Sequence, residues 1–289
     1  MSDGNIIQFA SYLSDLWEGV FHHRYAISRH PSWDRWRDIN DSVVQSVWHC
    51  HSLSQAADHY SWTGSDAALH FNDLSLQIRT SVQNADEIST HDLCIAVFKW
   101  GGVGRRPDDK SVLWLRSQLE DGRLTTRLKD ACALLKDNEA DLARFDGQDL
   151  LMNSAMTKVY AALSPSELII YDGRVGAALG LLAKDYLRSI NHRGPVPELL
   201  AFPWGASQGK HVPGQQNKRN PSDEEFHFPG LFGARQDKLH AEMMRNTSCL
   251  LRLVDRQISE AAASNLTRLE QALFMIGYDV SRALPAEES

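Results

Sequence analysis

Hydrophobic positions along the chain recur mostly at intervals of three and four residues, which is the period of an amphipathic α-helix. The first such segment runs from Ile6 to Trp17, and Pro31 stands where a second helix would begin. Further helices are predicted over residues 31–48, 67–82, 91–100, 110–119, 124–135, 236–259 and 266–276. Strand-like apolar residues are confined to the short run Leu168–Tyr171. The pattern therefore predicts an all-α fold.

Residues 201–234 break the helical pattern. They combine four prolines with four aromatic residues, namely Pro203, Pro213, Pro221, Pro229, Phe202, Trp204, Phe226 and Phe228. Long irregular segments inside compact domains are uncommon and tend to be functional. We expect a long irregular loop here, which either faces a substrate or covers the core.

Composition sets the class of protein. The 289 residues are 43% hydrophobic and 23% charged, as in globular proteins, and predict a single domain over 1–289 with two lobes around a cleft. The polar amino terminus is unlike a secretory signal, and no apolar run is long enough to span a membrane. Four widely spaced cysteines suggest reduced thiols, so a cytoplasmic protein is expected. We also expect a monomer.

The net charge of −7 argues against a protein that binds nucleic acid with its whole surface. Local basic patches remain possible, although charge runs are often merely solvated. Two candidate patches comprise Lys99, Arg105, Arg106 and Lys110, and then Lys184, Arg188, Arg193, Lys210, Lys218 and Arg219.

Candidate chemistry is concentrated in residues 150–190. Asn153 or Ser154 can cap a short helix that carries Lys158 and stops before Pro165. Asp172 then stands where the next helix begins. One face of that helix is apolar (Val175, Leu179, Leu182, Tyr186, Ile190), and the other is small (Gly173, Gly176, Ala177, Gly180), which would let another backbone approach. In the purely structural interpretation, the aspartate is an ordinary N-cap and the lysine is solvated.

This segment resembles the active-site region of helix–hairpin–helix DNA glycosylases of the 8-oxoguanine glycosylase branch. Thr157-Lys158-Val159 is similar to the family's nucleophile motif, and Ile169-Ile170-Tyr171-Asp172 to its aspartate motif. The similarity covers residues 150–179. Asn153-Ser154-Ala155-Met156 replaces the family's hairpin glycines, and the spacing from lysine to aspartate is shorter. These departures are more similar to a divergent branch, such as the glycosylase-fold proteins of bacterial phage defence.

The resemblance implies that Asp172 stabilises positive charge at C1′ of the sugar. Lys158 is implied either as a Schiff-base nucleophile or as a phosphate contact. The partner would be DNA with a modified base, contacted by Thr157, Arg174, Arg105, Arg106, Lys210, Lys218 and Arg219. Candidates for the base pocket are Trp100, Phe202, Trp204 and Phe228. No cofactor is expected, and no histidine spacing suggests a metal.

The modified base stays open. The family resemblance suggests 8-oxoguanine, whereas the altered hairpin and the aromatic loop suggest a bulkier base such as a glucosylated hydroxymethylcytosine. The alternative hypothesis is a catalytically inactive DNA-binding or protein-interaction module on the same helical scaffold.

Overall fold

A computed structural model describes residues 3–26, 47–60, 62, 70–207, 216–231, 233, 236–258 and 266–281. Within these ranges the fold is mostly helical, as the periodicity predicts. The α-helices are α1 (Asp3–Glu18), α2 (Leu53–Asp58), α3 (Phe71–Gln83), α4 (Glu87–Trp100), α5 (Lys110–Glu120), α6 (Leu124–Lys136), α7 (Met156–Leu163), α8 (Gly173–Ser189), α9 (Asp237–Ile258) and α10 (Leu266–Ile276). The strands are β1 (His23–Ala26) and β2 (Val47–Cys50), which pair antiparallel.

One sequence-based assignment needs correction. The helix predicted over 31–48 lies largely outside the described residues, and its end, Val47 and Trp48, belongs to strand β2. There, buried Trp48 pairs with buried Tyr25 across the ladder, and burial alternates along the strand. The apolar run Leu168–Tyr171 is buried and belongs to no strand, and the amide of Ile169 donates to Ser248 Oγ at 3.2 Å.

The chain forms two compact units. Unit 1 comprises Met1–Trp62, Asp172–Leu231 and Leu250–Ser289, and unit 2 comprises Thr63–Tyr171 and Phe232–Cys249. The segment 150–190 that carries the candidate chemistry therefore contributes Lys158 to unit 2 and Asp172 to unit 1.

The core of unit 1 is built on stacked aromatic rings. Tyr25 stacks on Trp48 with ring centroids 4.9 Å apart, and its hydroxyl donates to the Met275 carbonyl at 2.9 Å. Phe9 of α1 lies 5.4 Å from Tyr186 of α8. These contacts join α1, the two strands, α8 and α10 around one apolar centre.

Unit 2 is a helical core in which buried hydroxyls find partners. Ser75 of α3 donates to the Ala162 carbonyl of α7 at 2.6 Å, and Thr125 of α6 donates to Glu87 of α4 at 2.7 Å. Tyr160 of α7 is fully buried and donates to the Leu151 carbonyl at 2.8 Å. Because these bonds are satisfied, the polar groups tie the helices together rather than weaken the core.

The segment 201–234 is irregular where it is described. Trp204 and Gly230 form an isolated β-bridge, and the Leu231 amide donates to the Trp204 carbonyl at 2.6 Å. Residues 208–215 lie outside the described ranges. A search of the described helices for one with the length and apolar character of a membrane span finds none.

Candidate active site around Asp172

Asp172 is the N-cap of α8, where the helical pattern places it. Its backbone is extended, and its Oδ1 accepts from the Arg174 amide at 2.9 Å and from the Val175 amide at 3.2 Å. Two of the helix's amides without intrahelical partners are thereby satisfied, and the helix dipole favours the ionised carboxylate.

The small face of α8 admits a second backbone, as its glycines predict. The Gly205 amide donates to the Gly173 carbonyl at 3.2 Å. A Cβ added to Gly173 would lie 2.6 Å from the Cα of Gly205, and one on Gly180 would lie 2.6 Å from Pro221. The irregular segment therefore packs directly on the helix start that carries Asp172.

Arg174, the second residue of α8, lies among aromatic rings. Its guanidinium carbon is 4.3 Å from the ring centroid of Phe274, 5.5 Å from Tyr278 and 5.7 Å from Trp62. A Cβ on Gly277 would lie only 1.9 Å from the Arg174 carbonyl oxygen, so a glycine is required where the chain leaves α10. This close packing brings the rings of Phe274 and Tyr278 to the guanidinium.

Lys218 and Arg219 reach the same region from the irregular segment. Asn217 Oδ1 accepts from the Arg219 amide at 3.0 Å, and the Val280 amide donates to the Lys218 carbonyl at 2.7 Å. The Lys218 ammonium lies 3.5 Å from the ring centroid of Tyr278. The backbone of both cationic residues is therefore anchored.

Arg219 is a partly buried cation. Its Nε is buried and finds no hydrogen-bond acceptor among the described residues. Burial and, to a smaller extent, the charge of Arg174 lower the pKa of Arg219 to about 10, whereas Asp172 opposes the shift. We call Asp172, Arg174, Lys218 and Arg219, with the rings of Tyr60, Trp62, Phe274 and Tyr278, the Asp172 cluster.

The aromatic members of the Asp172 cluster were not predicted from the sequence. Tyr60 lies 5.8 Å from Phe274, and burial raises the pKa of its hydroxyl well above the ordinary value. Glu270 and Asp172 add to this rise, whereas Arg174 opposes it. No local motif marks these rings, because they come from distant segments. Tyr60 and Trp62 follow α2, whereas Phe274 lies on α10 and Tyr278 follows it.

The second predicted basic patch divides into two parts. Lys184 and Arg188 pair with Asp223 at 3.2 and 2.7 Å, and Arg193 pairs with Glu225 at 3.5 Å. By contrast, Arg174, Lys218 and Arg219 form no ion pair among the described residues, although the charge of Asp172 acts on Arg219. The positive charge that ion pairs leave in this patch therefore lies near Asp172.

Lys158 lies on α7 in unit 2, and the helix has the predicted extent. The side chain is only 6% exposed, so the interpretation of a solvated surface lysine is wrong. Its Nζ donates to the Ser154 carbonyl at 2.9 Å, and its Cδ would be 2.4 Å from a Cβ on Gly101. Asn153 Oδ1 accepts from the amides of Ala155 and Met156 just before and at the start of α7, although the N-cap position itself is Ala155.

The remaining predicted DNA contacts differ in exposure. Thr157 is fully buried and its hydroxyl donates to the Ser154 carbonyl at 3.1 Å, so its side chain is unable to contact DNA. Arg105 is exposed, whereas exposed Arg106 pairs with Asp109 at 3.2 Å. Lys210 lies outside the described residues.

The predicted base-pocket residues do not form one group. Trp100 belongs to unit 2, is nearly buried and packs against Phe71 at 4.4 Å. Phe202 and Phe228 are 2% and 6% exposed, which corrects their assignment, because side chains so buried serve the core of unit 1. Trp204 is partly exposed, and its Nε1 donates to the Phe228 carbonyl at 3.2 Å.

Other chemistry finds little support in this structure. Over the described ranges, no three His, Cys, Asp or Glu side chains are grouped so that they could hold a metal ion. The thiols of Cys50, Cys94 and Cys132 are buried and unpaired, and burial raises the pKa of Cys50 to about 12. Ile190, predicted on the apolar face of α8, is 48% exposed because the helix ends at Ser189.

Comparison with protein-family models, curated proteins and solved structures finds no match to the chain. The resemblance to the helix–hairpin–helix glycosylases accordingly stays a prediction that depends on residues 150–179.

Proposed function

We propose that the protein is a DNA glycosylase that cleaves the N-glycosidic bond of a modified base and leaves an abasic site. The observation that carries the proposal is the Asp172 carboxylate, held by the first amides of α8 near Arg174, Lys218 and Arg219, which form no ion pair among the described residues. Cations in this position suit the phosphates of DNA, while the carboxylate suits the cationic sugar that forms as the base leaves.

In the proposed reaction the base departs with the electron pair of the glycosidic bond. Positive charge then develops at C1′, and the carboxylate of Asp172 stabilises it electrostatically. A water molecule adds to C1′ and loses its proton, for which Asp172 is a suitable acceptor. The positive end of the helix dipole lies at this carboxylate, and its interaction with negative charge is favourable.

The family resemblance suggests a second route, through Lys158. Its amine would attack C1′ and displace the base, the sugar ring would open to give a Schiff base, and water would hydrolyse the Schiff base to the abasic site and the free amine. Its burial in unit 2 supports a role other than that of a solvated surface lysine. The alternative role, a charge contact to the phosphate that flanks the base, requires the protonated amine.

The test of Asp172 uses the variant Asp172→Asn, because asparagine is as good an N-cap as aspartate. We expect loss of the carboxylate to reduce base release by about 10²–10³-fold, the usual cost of removing one transition-state contact. The unfolding midpoint should change little. Base release is measured on oligonucleotides that each carry one modified base, including 8-oxoguanine and glucosylated hydroxymethylcytosine.

Asp86 provides the matched control, since it caps α4 in unit 2 by accepting from the Ser89 amide at 3.0 Å. Asp86→Asn should leave base release unchanged. Equal activity of Asp172→Asn and the wild type would contradict the mechanism. Wild-type protein that binds DNA but releases no base would favour the catalytically inactive DNA-binding module instead.

The two roles of Lys158 are separated by borohydride trapping. A Schiff base to the sugar is reduced to a stable amine, so an active wild type should form a covalent complex with DNA and Lys158→Met should form none. Lys136→Met is the control, because Lys136 pairs with Glu167 on the partly exposed surface of unit 2. Base release without trapping in the wild type would assign the reaction to water.

The panel of oligonucleotides also decides the substrate. Release of glucosylated hydroxymethylcytosine would support a role in defence against phage with modified DNA. Release of 8-oxoguanine alone would support repair, and would contradict the proposal of a bulky substrate.

A further inference from the structure

We propose that Arg174, Lys218 and Arg219 form one phosphate-binding site beside Asp172, occupied by a backbone phosphate of the DNA substrate. The inference deepens the proposed glycosylase function and rests on it for the source of the phosphate. It treats three residues from two segments of unit 1 as one site and assigns them a single ligand.

Arg219 has a buried Nε that finds no hydrogen-bond acceptor among the described residues. Native proteins rarely leave the desolvation cost of such a nitrogen uncompensated. Arg127 offers a contrast in unit 2, because its Nε is also buried without an acceptor but its guanidinium pairs with Asp149. The charge of Asp172 favours the charged form of Arg219, but Arg219 forms no ion pair among the described residues. An anionic ligand would supply the acceptor that its guanidinium lacks.

The three cations are held in place by their surroundings. Arg174 is held against Phe274, Lys218 lies over Tyr278, and the backbone of Arg219 is anchored by Asn217. The like charges of Arg174 and Arg219 oppose each other, and Asp172 acts against this effect. An anion bound between fixed cations relieves such repulsion, and preorganised sites bind anions well.

The side chains of this site suit a phosphate better than other anions. Arginine presents its N–H groups in a planar fork that matches the oxygens of a phosphate, and lysine adds a point charge. The neighbouring aromatic rings suit the sugar and base that accompany a nucleotide phosphate. Asp172 would repel any anionic ligand. The three cations nevertheless leave an excess of positive charge, which suits a phosphodiester.

The test measures how DNA affinity depends on salt. Binding of an unmodified oligonucleotide is followed by fluorescence anisotropy between about 50 and 200 mM salt, where each phosphate contact contributes about one unit to the logarithmic slope. Arg219→Met should lower that slope by about one and weaken binding. Lys218→Met, at a more accessible position, should do the same without disturbing a buried group.

Arg188→Met is the matched control, because Arg188 belongs to the same unit but is paired with Asp223 and Glu225. Its slope should equal that of the wild type. Unchanged slopes in both Arg219→Met and Lys218→Met, with both variants cooperatively folded, would overturn the site.

Inorganic phosphate and a nucleoside 5′-monophosphate serve as competitors and identify the source of the phosphate. If either displaces the oligonucleotide at a concentration near the oligonucleotide's own Kd, the ligand is a free phosphate compound and the DNA assignment is wrong. Failure of the glycosylase proposal is distinguishable: the wild type would release no base from any member of the panel, while the slope would still fall in the variants.

Discussion

At the scale of single residues, burial distinguishes otherwise similar charged side chains. Arg188 is nearly half exposed and pairs with Asp223, whereas Arg219 is desolvated and lies near the charge of Arg174. Asp86 and Asp172 are both N-caps, yet only Asp172 lies in a cluster of cations and rings. The functional assignment thus depends on the environment of each residue rather than on its type.

The lowered pKa of Arg219 predicts that this arginine destabilises the free protein. We expect Arg219→Met to raise the free energy of unfolding of unit 1 by about 1 kcal/mol, as do many replacements of strained functional residues. The folded-state pKa is about 10, below the ordinary value of 12.5, so the cost exists wherever the folded protein holds this proton. The gain in the free energy of unfolding should therefore be constant at neutral pH and shrink as pH rises through about 10.

Urea unfolding of the wild type and Arg219→Met at neutral pH and above pH 10 checks this prediction. Arg188→Met, which loses an exposed ion pair, should not be stabilised at either pH. A less stable Arg219→Met at neutral pH would indicate that the guanidinium serves packing and not a ligand.

At the scale of elements, the start of α8 depends on close approaches that only glycine permits. Gly173 faces the backbone of Gly205, and Gly277 faces the carbonyl of Arg174. These contacts hold the irregular segment and the end of α10 against the first turn of the helix. The position of Lys218, Arg219 and Tyr278 near Asp172 follows from this packing.

We predict that Gly173→Ala separates the irregular segment from α8, because its Cβ would lie 2.6 Å from the Gly205 Cα. The steric conflict should cost about 1–3 kcal/mol of stability, and base release should fall more than DNA binding. Gly4→Ala in α1 is the control, since nothing lies within 4 Å of an added Cβ there. Thermal unfolding and the oligonucleotide assay measure both effects; an unaltered Gly173→Ala would contradict the importance of this contact.

At the scale of the whole molecule, the net charge of −7 confines DNA binding to local sites. Ion pairs neutralise much of the basic side-chain charge, as Asp223 and Glu225 do for Lys184, Arg188 and Arg193. In unit 1, the cations of the Asp172 cluster form no ion pair among the described residues and lie together with aromatic rings. A protein of this charge should bind DNA weakly outside that cluster, with a shallow dependence on salt.

Hydrogen exchange in the presence of an oligonucleotide tests that localisation. DNA bound at the Asp172 cluster should slow amide exchange in α8 and α10, because a ligand that binds only the folded state suppresses local opening. Slowing should be weaker in Asp172-cluster variants such as Lys218→Met. Protection that spares both helices would contradict binding at this cluster.

Local sequence patterns predicted the local structure well. The period of apolar residues is set by the helix itself. The sequence therefore predicted every described helix except α2 near its observed bounds. The capping bonds of Asn153 and Asp172 were likewise predicted, because they involve amides only two or three residues away. The small face of α8 indicated the approach of a second backbone without identifying which one.

Tertiary structure alone decided which of these residues have a chemically distinctive environment. Whether a cation is neutralised depends on acids far away in sequence, so the basic patch containing Lys218 could not be divided beforehand. The same holds for strand β2, whose residues pair with a segment more than twenty positions earlier. The sequence by itself determined the helices, the position of Asp172 and the family resemblance. The fold determined the burial of Lys158 and the grouping of Arg174, Lys218 and Arg219, because burial and charge pairing arise from long-range contacts that no local pattern encodes.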